Sequence, residues 1–144
     1  MSEAVGRVPP FNPDLDGPSP PGTVEAFRRE VASADAILIA SPEYAFAVPG
    51  ALKNALDWLV SSGDIYGKPV AVVAGSPRAD GGLHVRADLE RTLAAQGAVV
   101  MSSVTIQVPR RNGHADPALS RPVRAALAAV LTELTSNAAP RRSA

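Results

Sequence analysis

Cysteine is absent from the 144-residue chain, which removes disulfides, thiol chemistry and thiolate metal ligands together. Histidine is scarce: His84 and His114 are the only two, too few for a histidine-rich metal centre. Neither sign of charge is in surplus, since Lys plus Arg and Asp plus Glu both number 14. Nucleic-acid and anionic-membrane surfaces need a basic excess, so neither is expected as a partner. The Arg141-Arg142 pair reads as a solvated tail. No apolar run is long enough to span a bilayer, and the opening MSEAVGRVPPFNPD has no apolar core of a secretion signal. A cytoplasmic location is the expectation. No internal repeat is visible.

What is present is an alternation of elements. Residues 1–22 hold six of the 14 prolines and read as an irregular N-terminal arm. Thr23 is a candidate cap for a helix with Val24, Phe27 and Val31 on one face. The continuous apolar run Ala36–Ala40 reads as a strand buried on both faces of a parallel sheet. A helix is expected from Pro49, with Leu52, Leu56 and Leu59 as its apolar stripe. Gly63 and Gly67 lead into a second buried strand, Val70–Ala74. A third helix carries Val85, Leu89 and Leu93 and ends at Gly97. Ala98–Val108 reads as a strand with Val104, Ile106 and Val108 on one face. A last helix, capped by Ser120 or Asp116 with Pro122 in its first turn, carries Val123, Leu127, Val130, Leu131 and Leu134. The tail beyond Ala138 is expected to fray, so the domain is expected over 23–138 and a flexible tail over 139–144. Helices alternating with apolar strands imply a parallel sheet with helices on both faces.

In such a sheet, ligands sit beyond the carboxyl ends of the strands. Two segments fall there: SPEYAFAVPG (41–50) after the first strand, and GSPRADGG (75–82) after the second. Pro42 fixes φ, Pro49-Gly50 turns the chain into the helix, and Gly75, Gly81 and Gly82 let main chain approach a flat ligand closely. A flavin ring needs walls of this kind, with fixed N–H and C=O partners at its pyrimidine edge.

The stretch SPEYAFAVPGALKNALDWL (41–59) resembles the SPEYN…PGxLKNAIDW signature of the NADPH-dependent FMN reductase family. Gly75-Ser76 and Gly81-Gly82 are similar to that family's second flavin loop, and VPPFNPDLDG (8–17) to the segment after its second strand. The resemblance implies a flavodoxin-like three-layer α/β/α sandwich with a parallel sheet. It implies that Pro42, Glu43, Tyr44 and Ala45 line the flavin, mostly through main chain, with Ser76, Gly81 and Gly82 facing it. No side chain is assigned a catalytic proton transfer. The resemblance also implies hydride transfer from NADPH, or NADH, through FMN to a small acceptor: free flavin, a quinone or an azo compound. Lys53, Asn54, Asp57 and Trp58 are expected at a subunit interface of a homodimer or homotetramer; the plain alternative for Lys53 and Asp57 is a surface pair at i, i+4. Arg78, near a cofactor phosphate, and the Arg110-Arg111 pair are weaker anion candidates, and His84 and His114 read as surface residues.

Two departures from the family pattern carry expectations. Ala45 stands where the family usually has Asn. The family's opening strand, phosphate loop of the GSxRxxSxN kind, helix and second strand, roughly 30 residues or more for a unit of this sort, have no counterpart in the opening MSEAVGRVPP. The chain therefore reads as N-terminally truncated, with its first strand at an exposed apolar edge. A start lying upstream is the favoured explanation; completion by another chain and a decaying fragment are the others. A cofactor-free relative acting as an oligomerisation or interaction partner is the competing functional expectation.

Overall fold

The computed structural model describes residues 4–78, 81–108, 110–111, 114–115 and 120–138. Its centre is a three-stranded parallel sheet in the order β1 (Ile37–Pro42), β2 (Pro69–Ser76), β3 (Val99–Gln107). The connections are the helices α2 (Gly50–Asp57) and α3 (Leu83–Ala95), with α1 (Gly22–Ser33) before the sheet and α4 (Arg121–Ser136) after it. Residues 110–111 (β4) and 114–115 (β5) pair antiparallel as a small separate ladder. The expected Asp116 and the tail after Ala138 lie outside the described residues.

The alternation of β2 distributes its side chains to two cores. Val70, Val72 and Ala74 face a larger core with Val24 and Phe27 of α1, Ala55 and Leu56 of α2, and Val85, Leu89 and Leu93 of α3. Ala71 and Val73 face a smaller one, closed by Val130 and Leu134 of α4 with Val104, Ile106 and Leu127 beside them. The result is a three-layer α/β/α arrangement.

β1 departs from the expectation of burial on both faces. Ile39 and Ser41 are buried, but Leu38, Ala40 and Pro42 are exposed. Leu38 and Ala40 share a face with their partners Ala71 and Val73, and α4 lies over β2 and β3 rather than over β1. Among the described residues β1 has one strand partner. Its free edge and the flanks of α1 and α2 enclose an open, mostly apolar groove of about 770 Å³, lined by Val31, Ile37, Leu38, Leu52 and Leu59 among others.

Ser120 holds the cap position of α4, with Pro122 in its first turn, whereas the start of α1 differs from the expected cap. α1 begins at Gly22 with Pro21 as its cap residue, whose carbonyl accepts from the Val24 and Glu25 amides at 2.8 and 3.0 Å; Thr23 lies inside the helix. Gly97 does end α3. It adopts φ +71°, with the Gly97 amide donating to Ala94 and the Ala98 amide to Leu93, the paired bonds of a Schellman turn. A Cβ there would also meet the Tyr66 ring at 2.4 Å.

The described part of the proline-rich segment is held down at several points between Ala4 and Asp16. It contains short 3-10 turns at Ala4–Gly6 and Pro13–Leu15, and Val8 enters the larger core. Trp58 Nε1 and Asn54 Nδ2 both donate to the Pro9 carbonyl, at 2.8 and 2.9 Å, and the Phe11 amide donates to Asn54 Oδ1 at 2.7 Å. Phe11 meets the Trp58 ring edge-on at 5.0 Å. Arg28 spans α1 to this region, donating to the Trp58 carbonyl, to Ser61 and to Asp16 at 2.7 Å. That contact with Arg28, then the Ser61 hydroxyl, holds the Asp16 carboxyl below the usual carboxylate range.

This packing bears on the expected interface. Trp58 is wholly buried within the chain, and the half-buried Asn54 bonds to the N-terminal segment. The α2 stripe turns them inward because Ala55, Leu56 and Trp58 fill one continuous core with Leu59. Lys53 and Asp57 do stand on the outer side, and there they bond to each other at 2.5 Å.

Candidate functional site

The parallel register sets Pro42 beside Gly75 at the carboxyl ends of β1 and β2, so the two glycine- and proline-containing segments leave the sheet side by side. The first is more ordered than a loop. Tyr44 and Ala47 exchange two main-chain hydrogen bonds, 3.1 Å from the Tyr44 amide and 2.9 Å from the Ala47 amide, closing a two-residue hairpin. The residues between them, Ala45 and Phe46, have φ of +50° and +59°, the signs of a type I′ turn. They are the only non-glycine positive-φ residues among those described. For L residues this region costs about 1–2 kcal/mol each, least for Asn and Gly. The hairpin leaves Tyr44 and Phe46 exposed at 64% and 69%. The Asn-to-Ala departure therefore bears on backbone conformation as well as on a lost amide.

The second segment is a tight turn around Ser76. The Ser76 hydroxyl is buried and accepts from the Arg78 amide at 3.2 Å, while the Gly81 amide donates to the Arg78 carbonyl. A Cβ on Gly81 would sit 1.9 Å from Ser76 Oγ, so the close return of the turn requires glycine. Gly82, at φ +87°, directs the chain into α3 with Ala74 and Thr105 packed beneath it. Residues 79 and 80 lie outside the described set.

The segments are tied together by Glu43. Its carboxylate Oε2 accepts from the amides of His84 at 3.0 Å and Val85 at 3.3 Å, in the first turn of α3. Phe46 adds an edge-on contact with the His84 ring at 5.2 Å. Sequence reasoning assigned Glu43 main-chain contacts and missed this bond, which spans 41 residues. A signal was present nonetheless: the residue before the apolar stripe of α3 is Gly82, which has no side chain to cap the helix.

Of the expected site residues, the structure brings Pro42, Glu43, Tyr44, Ala45, Ser76, Gly81 and Gly82 to one end of the sheet. Pro42 ends β1, with its carbonyl accepting from Ser41 Oγ at 2.9 Å. These residues form an exposed hairpin at residues 44–47 beside a tight turn that closes on Ser76 at Gly81. Lys53 and Asp57 lie apart from it on α2. The side chains of Arg110, Arg111 and His114 lie outside the described set. Among the described residues no cluster of His, Asp and Glu is arranged to hold a metal, and no helix is long and apolar enough to cross a membrane.

This sheet, its layering and a ligand crest at the carboxyl ends of the strands define a flavodoxin-like α/β protein. The likeness extends over 94% of the chain, and 79% of the other, to FerB of Paracoccus denitrificans, a flavoenzyme NAD(P)H:(acceptor) oxidoreductase, with a TM-score of 0.71 at 25% identity. Residues 4–113 match the family described as NADPH-dependent FMN reductase, and the chain belongs to that family. Among relatives, a quinone reductase of Pseudomonas putida is 40% identical over 94 residues, covering 62% of this chain and 50% of its own. A quinone reductase of Escherichia coli K12 is 35% identical, covering 69% and 54%, and a 2-hydroxy-1,4-benzoquinone reductase of a Burkholderia species is 31% identical, covering 78% and 62%. The chain thus spans about half the length of the first two.

Proposed function

We propose that this chain carries the ring-holding part of an NAD(P)H-dependent FMN and quinone reductase. The observation that carries the reading is the pair of segments at the ends of β1 and β2, the first bonded through Glu43 to the helix that follows the second, and the second drawn into a tight turn that glycine at 81 permits. Pro42, Glu43, Tyr44 and Ala45 would present main chain to the flavin edge, and Ser76, Gly81 and Gly82 would face it. FMN, when bound, supplies the redox chemistry, taking hydride from NADPH or NADH and passing it to the acceptor. The chain's own residues bind and orient, and no side chain is assigned a proton transfer. Three relatives with quinone in their names favour a quinone over free flavin or an azo compound as acceptor. We place the protein in the cytoplasm as a homodimer or homotetramer, with the outward Lys53–Asp57 side of α2 as the candidate contact.

The test is anaerobic addition of NADPH to the FMN-mixed protein, then a benzoquinone. Bleaching of the flavin band by NADPH and its return with the quinone, at rates above those of free FMN, support the reading; rates equal to free FMN oppose it.

A second reading is motivated by the free β1 edge and its apolar groove: a cofactor-free partner that pairs with another chain along that edge. Gel filtration separates the two. An oligomer of unchanged size and tightness with and without FMN, and no flavin eluting with it, favours the second.

A further inference from the structure

We propose that Glu43 is a positioning residue, clamping the two flavin segments into one rigid unit by capping α3 from outside the helix. The argument begins with what α3 cannot do for itself. Its cap residue is Gly82, held at φ +87° and packed on Ala74, with no side chain to accept from the first-turn amides. Those amides, on the second and third helical residues, are the ones a Ser, Thr, Asp or Asn cap normally satisfies. Here they are His84 and Val85, and the acceptor is the Glu43 carboxylate, contributed by the segment after β1. Val85 is itself fully buried, so its amide has little access to water. A carboxylate at this end of a helix also meets the positive end of the helix dipole.

The geometry turns a local need of α3 into a link between two loops. Glu43 directly precedes the strained hairpin Tyr44–Ala47, and Phe46 of that hairpin rests against His84, the same residue whose amide Glu43 binds. Two independent contacts therefore fix the hairpin relative to Gly81 and Gly82. A ring site built from separate loops gains affinity when its walls are set in advance rather than ordered on binding. The clamp rests on the geometry alone; its effect on flavin rests on the function proposed above.

The experiment compares wild type with Glu43→Gln and Glu43→Ala. Gln keeps an acceptor oxygen at the same reach without the charge, and guards against a variant that fails to fold. Amide hydrogen exchange in the absence of flavin is read at His84 and Val85, with the amides of β2 as an internal control. Exchange at the two amides is expected to rise about five- to tenfold in Glu43→Ala and less in Glu43→Gln, with β2 unchanged. Unchanged protection at His84 and Val85 in Glu43→Ala overturns the clamp. FMN titration is the second readout: Glu43→Ala is expected to weaken binding about tenfold or more, with partial rescue in Glu43→Gln. Equal FMN affinity in the three proteins, with the exchange effect present, overturns the positioning role. Absence of FMN binding in wild type counts against the flavin function, and the exchange result then decides the clamp on its own.

Discussion

The two faces of the sheet are built to different standards. On one, α1, α2 and α3 close a core in which Val24, Val70, Val72, Val85, Leu89 and Leu93 have no solvent exposure. On the other, α4 alone contributes Val130 and Leu134 over Ala71 and Val73, and the β1 side chains Leu38 and Ala40 face solvent. Both faces use the same apolar β-branched strands, so the difference lies in what covers them. The two segments of the candidate site are tied to the well-covered side: Glu43 bonds to α3, and the N-terminal segment is fixed to α2 and Trp58. Rigidity of the candidate site follows from that side of the sheet.

The largest effect that would break this comparison is expected in the closed core. Leu89→Ala should cost about 2–5 kcal/mol, because three helices and the sheet leave little room to collapse around the void. Urea unfolding measures it; a cost under 1 kcal/mol would mean that the core is loosely packed.

The next effect concerns the tie between α1 and the N-terminal segment. Asp16→Asn should cost about 1–3 kcal/mol near neutral pH, since Arg28 keeps the Trp58 carbonyl but loses its anionic partner. The Asp16 pKa is lowered in the folded state. Its contribution is therefore present in full above the unfolded pKa and is lost as pH falls through the folded one. The wild type should lose its advantage over Asp16→Asn in acid, and an advantage that persists there would contradict the pairing.

A smaller change of opposite sign is expected at the hairpin. Ala45→Gly relieves a positive φ and should stabilise by about 1 kcal/mol or less, the gain being offset in part by the unfolded chain's greater freedom. Ala45→Asn should act in the same direction. Thermal unfolding distinguishes stabilisation from loss, and loss would mean that the alanine methyl is packed.

The smallest effect is expected on the open face. Leu38→Lys should change stability by no more than about 0.5 kcal/mol, as for other surface sites. A cost comparable to that of Leu89→Ala, dependent on protein concentration, would show that this face is covered in solution.

Much of this layout was legible in the sequence because it rests on local pattern. Apolar runs at 70–74 and stripes such as Val85, Leu89 and Leu93 are read from spacing alone, and Gly97 marks a helix end by its tolerance of positive φ. What escaped depends on contacts far apart in the chain. Proline count made residues 1–22 an irregular arm, yet Pro9 and Phe11 are held by Asn54 and Trp58, more than 40 residues away. The same bonds turn Asn54 and Trp58 toward the N-terminal segment. Thr23 lost the cap because the helix begins before it, at Gly22, with the Pro21 carbonyl accepting from Val24 and Glu25. At the candidate site, the residues that present main chain were readable from glycine and proline, while the bond from the Glu43 carboxylate required knowing which helix lies next to it.

The most direct test of the central claim is FMN titration of the purified chain alongside Gly81→Ala, followed by flavin fluorescence. A methyl at Gly81 meets Ser76 Oγ and must open the turn that faces the ring. The account predicts saturable quenching at one FMN per chain in wild type and weakened quenching in Gly81→Ala, with both proteins folded at the titration temperature by circular dichroism. Quenching that is equal in both proteins, or absent from folded wild type, would contradict it.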